Sequence, residues 1–224
     1  MSMPFYVPPE QFLKDRADFA RKGISRGRAL IAAGCADGIL VVAENPSTTL
    51  RKISEIYDRI AFAGVGKYNE YDSLRMAGVR QADLQGYQFS RRDVDARRLA
   101  NLYAQVLAHE FTAGPKPLEV EILVAEVGDS ATDDRLYRIS YDGTVMDEDG
   151  LCILGGDSEA VAARCAGWQH DNTFASLLKA ATGALSGPDR SLVAADLEVA
   201  VLARNGRRRC FSRLEVQSVA QMLG

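Results

Sequence analysis

Apolar and polar positions along this 224-residue chain change period several times, and the changes mark out its elements. Pro4, Pro8 and Pro9 keep residues 1–8 out of a stable helix. From Pro9 to Lys22 the pattern is helical: Phe12 and Phe19 share one stripe, with Leu13, Ala17 and Ala20 beside it. Proline suits the first turn and Glu10 the positive end of the dipole. Arg21 and Lys22 followed by Gly23 predict the stop. β-rich runs at 29–35 and 39–44 flank Ala36-Asp37-Gly38, a hairpin signal. Runs at 53–57 and 59–65 predict a second pair.

Two longer helices are predicted next. One spans 67–84, with Tyr71, Leu74, Val79 and Ala82 at helical spacing. The other spans 93–111, with Val94, Leu99, Leu102, Val106 and Leu107 on its stripe and Gly114-Pro115 as its stop. Strands are predicted at 119–126, 136–140 and 151–154, with Asp142-Gly143 as a tight turn. Helices at 158–168 and 173–185 precede the break at Ser186-Gly187-Pro188. Strands at 197–203 and 209–212 and a helix at 214–222 complete the pattern. Groups of strands alternate with pairs of helices, so strict βαβα alternation is missing and a doubly wound parallel sheet is disfavoured. The pattern predicts an α+β fold in which two antiparallel sheets stack face to face with helix pairs outside. No internal repeat or low-complexity segment interrupts it.

Composition narrows the function classes. At 47% hydrophobic, the chain has material for a sizeable core. A net charge of -3 gives no reason to expect nucleic acid, and Arg207-Arg208-Arg209 reads as a solvated turn. Cys35, Cys152, Cys165 and Cys210 lack CxxC pairing, which disfavours a zinc site or a disulfide framework and fits a reducing compartment. His109 and His170 leave few partners for histidine-based metal or triad chemistry. No cofactor or metal is expected. No apolar run approaches the roughly 20 residues of a membrane span. The start MSMPFYVPPEQ lacks the basic-then-apolar layout of a signal peptide, so a cytoplasmic protein is expected.

Several blocks carry a family resemblance. Residues 28–66 read RALIAAGCADGILVVAENPSTTLRKISEIYDRIAFAGVG, and a helix signal follows at Lys67-Tyr68-Asn69. LYRISYDG at 136–143 and LGGDSEA at 154–160 come in the same order and spacing. Together these resemble proteasome subunits over nearly the whole chain. The segments FYVPPEQFLKDRADFARKGISRG, ENPSTTLRKISEIYDR and YQFSRRDVDARRLANLYAQ resemble the actinobacterial α subunits in particular. The resemblance implies the four-layer αββα sandwich of N-terminal-nucleophile hydrolases, with an extra N-terminal helix. It divides the chain into a flexible gating segment, 1–8, and one α-type domain, 9–224.

The same resemblance bears on chemistry. Catalytic members of the family combine an N-terminal threonine, an acid and a lysine. The matching positions here hold Arg28, Glu44 and Lys52, and no Gly-Thr, Gly-Ser or Gly-Cys step stands at position 28. That implies a non-catalytic α subunit; the alternative is a self-processed hydrolase with its own peptidase activity. In the α subunits the matching lysine lies in a pocket between neighbouring copies. There it pairs with the C-terminal carboxylate of a hexameric activating ATPase, which assigns that role to Lys52, with Gly66 and Lys67 as the other wall. Met3, Pro4, Phe5, Tyr6, Val7 and Pro8 would form the gate at the axis of a seven-membered ring. The implied partners are other copies of the chain, β subunits, the ATPase and tagged protein substrates. Ser140-Tyr141-Asp142 reads as a strand end and Trp168 and Phe174 as core. Tyr68, Tyr71 and Tyr103 fit packing between rings or subunits, and His109 reads as a satisfied or exposed histidine.

Overall fold

The computed structural model of the chain describes residues 8–165, 168 and 172–224. Helix α1 (Pro9–Ile24) leads into the hairpins β1 (Leu30–Cys35) to β2 (Gly38–Glu44) and β3 (Ile53–Tyr57) to β4 (Ile60–Gly66). Helices α2 (Tyr68–Gln88) and α3 (Ala96–Thr112) follow, then β5 (Val120–Glu126), β6 (Arg135–Ile139), β7 (Val145–Glu148) and β8 (Leu151–Leu154). Next come α4 (Ser158–Arg164), α5 (Phe174–Ser186), β9 (Leu197–Ala203), β10 (Phe211–Arg213) and α6 (Val216–Leu223). The strands form two five-stranded sheets, ordered β10-β9-β2-β1-β8 and β3-β4-β5-β6-β7, with antiparallel pairing throughout.

Side-chain alternation builds the layers. Leu30, Ala32, Ile39, Val41 and Ala43 point inward and meet Ile53, Ala61, Ala63, Leu123 and Ala125 of the other sheet. Ile31, Ala33, Leu40 and Val42 point outward under Val161, Leu178, Leu185 and Val219 of α4, α5 and α6. On the opposite outer face, Phe62, Ile122 and Val124 pack under Tyr71, Leu74, Leu99, Tyr103 and Leu107 of α2 and α3. Strands covered on both sides read as continuous apolar runs, and β1 and β2 are buried at every position. This is the α+β four-layer sandwich with an added N-terminal helix that the sequence predicts.

Several details differ from the sequence reading, among them α2 running on to Gln88 rather than 84 and α3 beginning at Ala96 rather than 93. Strand β7 was not predicted. It is a short, half-exposed edge strand, Val-Met-Asp-Glu, whose shape comes from pairing Ile139 with Val145 and Leu136 with Glu148. Helix α1 runs past Gly23 to Ile24. Glycine serves close approach there, because a Cβ on it would lie 2.6 Å from Glu119 Cβ. Helix α4 ends at Arg164 rather than 168, as the Cys165 amide bonds both Val161 and Ala162 carbonyls and tightens the last turn. Residues 166 and 167 of the expected helix, and His170, lie outside the described residues. Tyr71 and Tyr103 are buried in this chain's own core rather than left for contacts between subunits. Trp168 and Phe174 pack against the core as expected, and His109 is exposed.

Helix α1 sits at one end of the sandwich, against β4 and β5. Its buried residue Arg16 donates to the carbonyls of Phe111 at 2.6 Å, Glu110 at 2.7 Å and Gly114 at 3.0 Å, which caps the C-terminal end of α3. Ala20 and Ile24 cluster with Tyr141, while Phe12, Leu13 and Phe19 remain exposed.

Helices α2 and α3 pack tightly at Gly78, where a Cβ would lie 1.7 Å from the hydroxyl of fully buried Tyr103. Gly78→Ala is predicted to cost about 1–3 kcal/mol through overpacking. Urea unfolding checks it: an unchanged midpoint would mean that the two helices separate freely.

Candidate functional site

The residues singled out from the sequence meet where β1 begins, β2 ends and β3 begins. Antiparallel pairing sets Leu30 opposite Ala43, so Arg28 and Glu44 emerge at the same end of the sheet. Their side chains form an ion pair. Glu44 is buried, and Arg190 closes on its other side at 2.9 and 3.2 Å. Two guanidiniums thus offset the cost of burying one carboxylate.

Lys52 ends the connection from β2 to β3. Its Nζ donates to the carbonyl of Arg28 at 2.7 Å. Among the described residues no carboxylate lies within 4.0 Å of that ammonium. Burial pushes the lysine down to a pKa of about 8, against the opposing pull of Glu44 and Glu198; Arg28 adds to the lowering. Lys52 is a half-buried cation with spare donors and no anion in contact.

The backbone at Lys52 is held from the other sheet. Glu198 on β9 is buried, and its Oε2 accepts the Lys52 amide at 2.8 Å and Asn45 Nδ2 at 2.7 Å. Its Oε1 accepts the Ile53 amide at 3.3 Å and pairs with Arg213. Asn45 also donates to the Leu50 carbonyl at 2.8 Å.

Gly66 lies at the same end. The Gly64 amide donates to the Lys52 carbonyl at 3.0 Å, and the Gly27 segment passes close to Val65 and Gly66. Gly66 has φ +108°, and a Cβ there would lie 2.0 Å from the Glu119 carbonyl oxygen, so only glycine fits. Lys67 caps the start of α2. Its Nζ is 3.7 Å from Glu70 and 3.9 Å from Glu119, in a cluster that Lys116 shares. The structure therefore sets Gly66 beside the Lys52 strand, while the Lys67 ammonium is occupied by acids. Pro8 is exposed and its carbonyl accepts the Phe12 amide at 3.0 Å. Met3, Pro4, Phe5, Tyr6 and Val7 lie outside the described residues.

Position 28 offers a guanidinium on an internal peptide: no hydroxyl, no thiol and no free amine. The acid and the lysine flank a group that stays protonated and cannot act as a nucleophile. Glu198, Asn45, Arg190 and Arg213 escaped the sequence reading. For Glu198 a signal was present, a carboxylate inside the apolar run Leu197–Ala203, where an unpaired charge would be costly.

The family model described as "Proteasome subunit" matches residues 24–201 of the chain. The chain belongs to the proteasome subunit family. Proteins called "Proteasome subunit alpha" resemble it along its whole length. One from Acidimicrobium ferrooxidans is 60% identical, with 100% of this chain and 97% of the relative covered. Another from Sanguibacter keddieii is 56% identical over 96% of this chain and 86% of its own length. A third, from Arthrobacter sp., is 52% identical over 100% and 98%. Family membership implies assembly with other proteasome subunits. Among the described residues no helix is long and apolar enough to cross a membrane.

Proposed function

We propose that this chain is a non-catalytic α subunit of a bacterial 20S proteasome core. Arg28 carries the reading: it fills the nucleophile's place, pairs with Glu44 and occupies Lys52 through its carbonyl. The names of the full-length relatives support the α assignment. The alternative, a self-processing hydrolase, is not favoured, because position 28 supplies nothing to process towards. Hydrolysis then belongs to threonine-bearing β subunits. Seven copies form an outer ring that caps the β ring, and the half-uncovered stripe Phe12, Leu13 and Phe19 on α1 supports burial against a neighbouring copy. The work of the ring is to gate entry and to dock a hexameric ATPase that delivers tagged proteins, in the cytoplasm.

Lys52 is the docking group in this reading. A half-buried ammonium with no anion in contact suits a chain-terminal carboxylate, and the Gly66 backbone and Lys67 form the other wall. Residues 1–8 are the gate. Met3, Pro4, Phe5, Tyr6, Val7 and Pro8 bring apolar contacts and proline stiffness to the ring axis.

Co-expression with a β partner followed by intact mass tests the non-catalytic assignment. The expected mass is full length apart from Met1; a chain shortened to begin at Thr, Ser or Cys would reverse the assignment. Lys52→Ala is expected to abolish ATPase-dependent protein degradation while assembly and small-peptide cleavage persist. Normal degradation by that variant would remove the docking role. Deleting residues 2–8 is expected to raise peptide hydrolysis by the assembled particle several-fold, and equal rates for short and long peptides before and after deletion would dismiss the gate.

A further inference from the structure

We infer that Glu198, working with Asn45, is the positioning residue that holds Lys52 in its docking geometry from the opposite sheet. This rests on the docking reading of Lys52 and adds to it the device that aims the ammonium.

The connection from Asn45 to Lys52 contains no helix or strand; its internal hydrogen bonds, through Asn45 and Ser47, reach only as far as Leu50, and the Lys52 amide is held by Glu198. Glu198 supplies the missing constraint. One buried carboxylate accepts two consecutive amides, Lys52 and Ile53, and so fixes the direction in which β3 starts. The same carboxylate takes the Asn45 amide group, whose second donor bond goes to Leu50. Asn45 Oδ1 in turn accepts the Ser47 amide at 3.2 Å. Both ends of the connection are therefore tied to a single side chain on β9. Arg213 neutralises that carboxylate and donates to the Ile53 carbonyl at 2.7 Å, so the anchor is itself braced.

The acceptor count makes the arrangement selective for a carboxylate. Oε1 and Oε2 each receive donors, and besides the Asn45 amide these are two backbone N–H groups and a guanidinium, which cannot accept in return. A glutamine at 198 has one oxygen and one NH2. Whichever way its amide turns, a donor faces either the Lys52 amide or the Ile53 amide and Arg213, none of which can accept. The segment must shift to relieve that contact. Lys52 then leaves the half-buried site where Glu44, Glu198 and Arg28 surround it.

The test uses particles assembled with the β partner, carrying wild-type chain, Glu198→Gln, Asn45→Ala or Lys52→Ala. Lys52 is acylated over a range of pH and followed site by site by mass spectrometry, with Lys67 and Lys116 as references. Binding is measured with a synthetic peptide carrying the last residues of the ATPase and a free carboxylate. In Glu198→Gln the Lys52 labelling midpoint is expected to rise from about 8 by about one pH unit or more as the ammonium regains water. The profiles of Lys67 and Lys116 are expected to stay fixed, and peptide affinity to fall about 10-fold or more. An unchanged midpoint overturns the inference. So does a falling one, because Glu198 would then act on Lys52 only as a nearby charge, and so does a common shift at all three lysines, which marks general loosening. If Glu198→Gln does not assemble, Asn45→Ala keeps the carboxylate and is expected to move the midpoint and the affinity in the same directions; no movement in that variant overturns the inference. Unchanged peptide binding by Lys52→Ala would instead refute the docking reading and leave the labelling result to decide the role of Glu198.

Discussion

Two sheets that are each apolar on both faces can be stable only as the middle layers of a stack, and that requirement governs this molecule. Residues at alternate positions of β1 and β2 serve two different cores. The helices are consequently obligatory covers, since removing α5 would expose Leu40 and Val42 as surely as separating the sheets would expose Val41 and Ala43. Strands in such a stack have freedom only at their ends. The groups with chemical character, Arg28, Glu44, Lys52 and Gly66, accordingly lie where strands start or stop. Their placement follows from antiparallel register, which returns the end of one strand to the beginning of its neighbour.

Much of this was legible along the chain because the dominant signals were local. The Ala36-Asp37-Gly38 turn, the apolar runs of β1, β2, β5 and β9, and the helical stripes on α2 and α3 each announce themselves within a few residues. What was missed depends on contacts distant in sequence. Strand β7 has no periodic pattern of its own and exists because β6 offers it an edge. Gly23 looks like a helix stop when read alone, but its role is to let Glu119, nearly a hundred residues later, pack closely.

The site shows the same division. Arg28, Glu44 and Lys52 were found by their order and by likeness to a family, and the structure gathers them at one end. Their supports were not found. Glu198, Arg190 and Arg213 approach from strands and loops more than a hundred residues away, and no spacing rule links them to Lys52. Lys67 shows the converse limit: adjacent to Gly66 in sequence, its ammonium is drawn to Glu70 and Glu119 by their charges.

Arg16 holds α1 to the body of the molecule through three backbone carbonyls. The joint sets a guanidinium against amide oxygens, with no carboxylate in it. The contacts around Glu44, Glu70 and Glu198 instead set a carboxylate against a cation. The two regions are therefore joined by different means, charge against charge at the end that carries Lys52 and charge against amide dipoles at the first helix. The N-terminal helix is fastened by a joint that needs no opposite charge to close it.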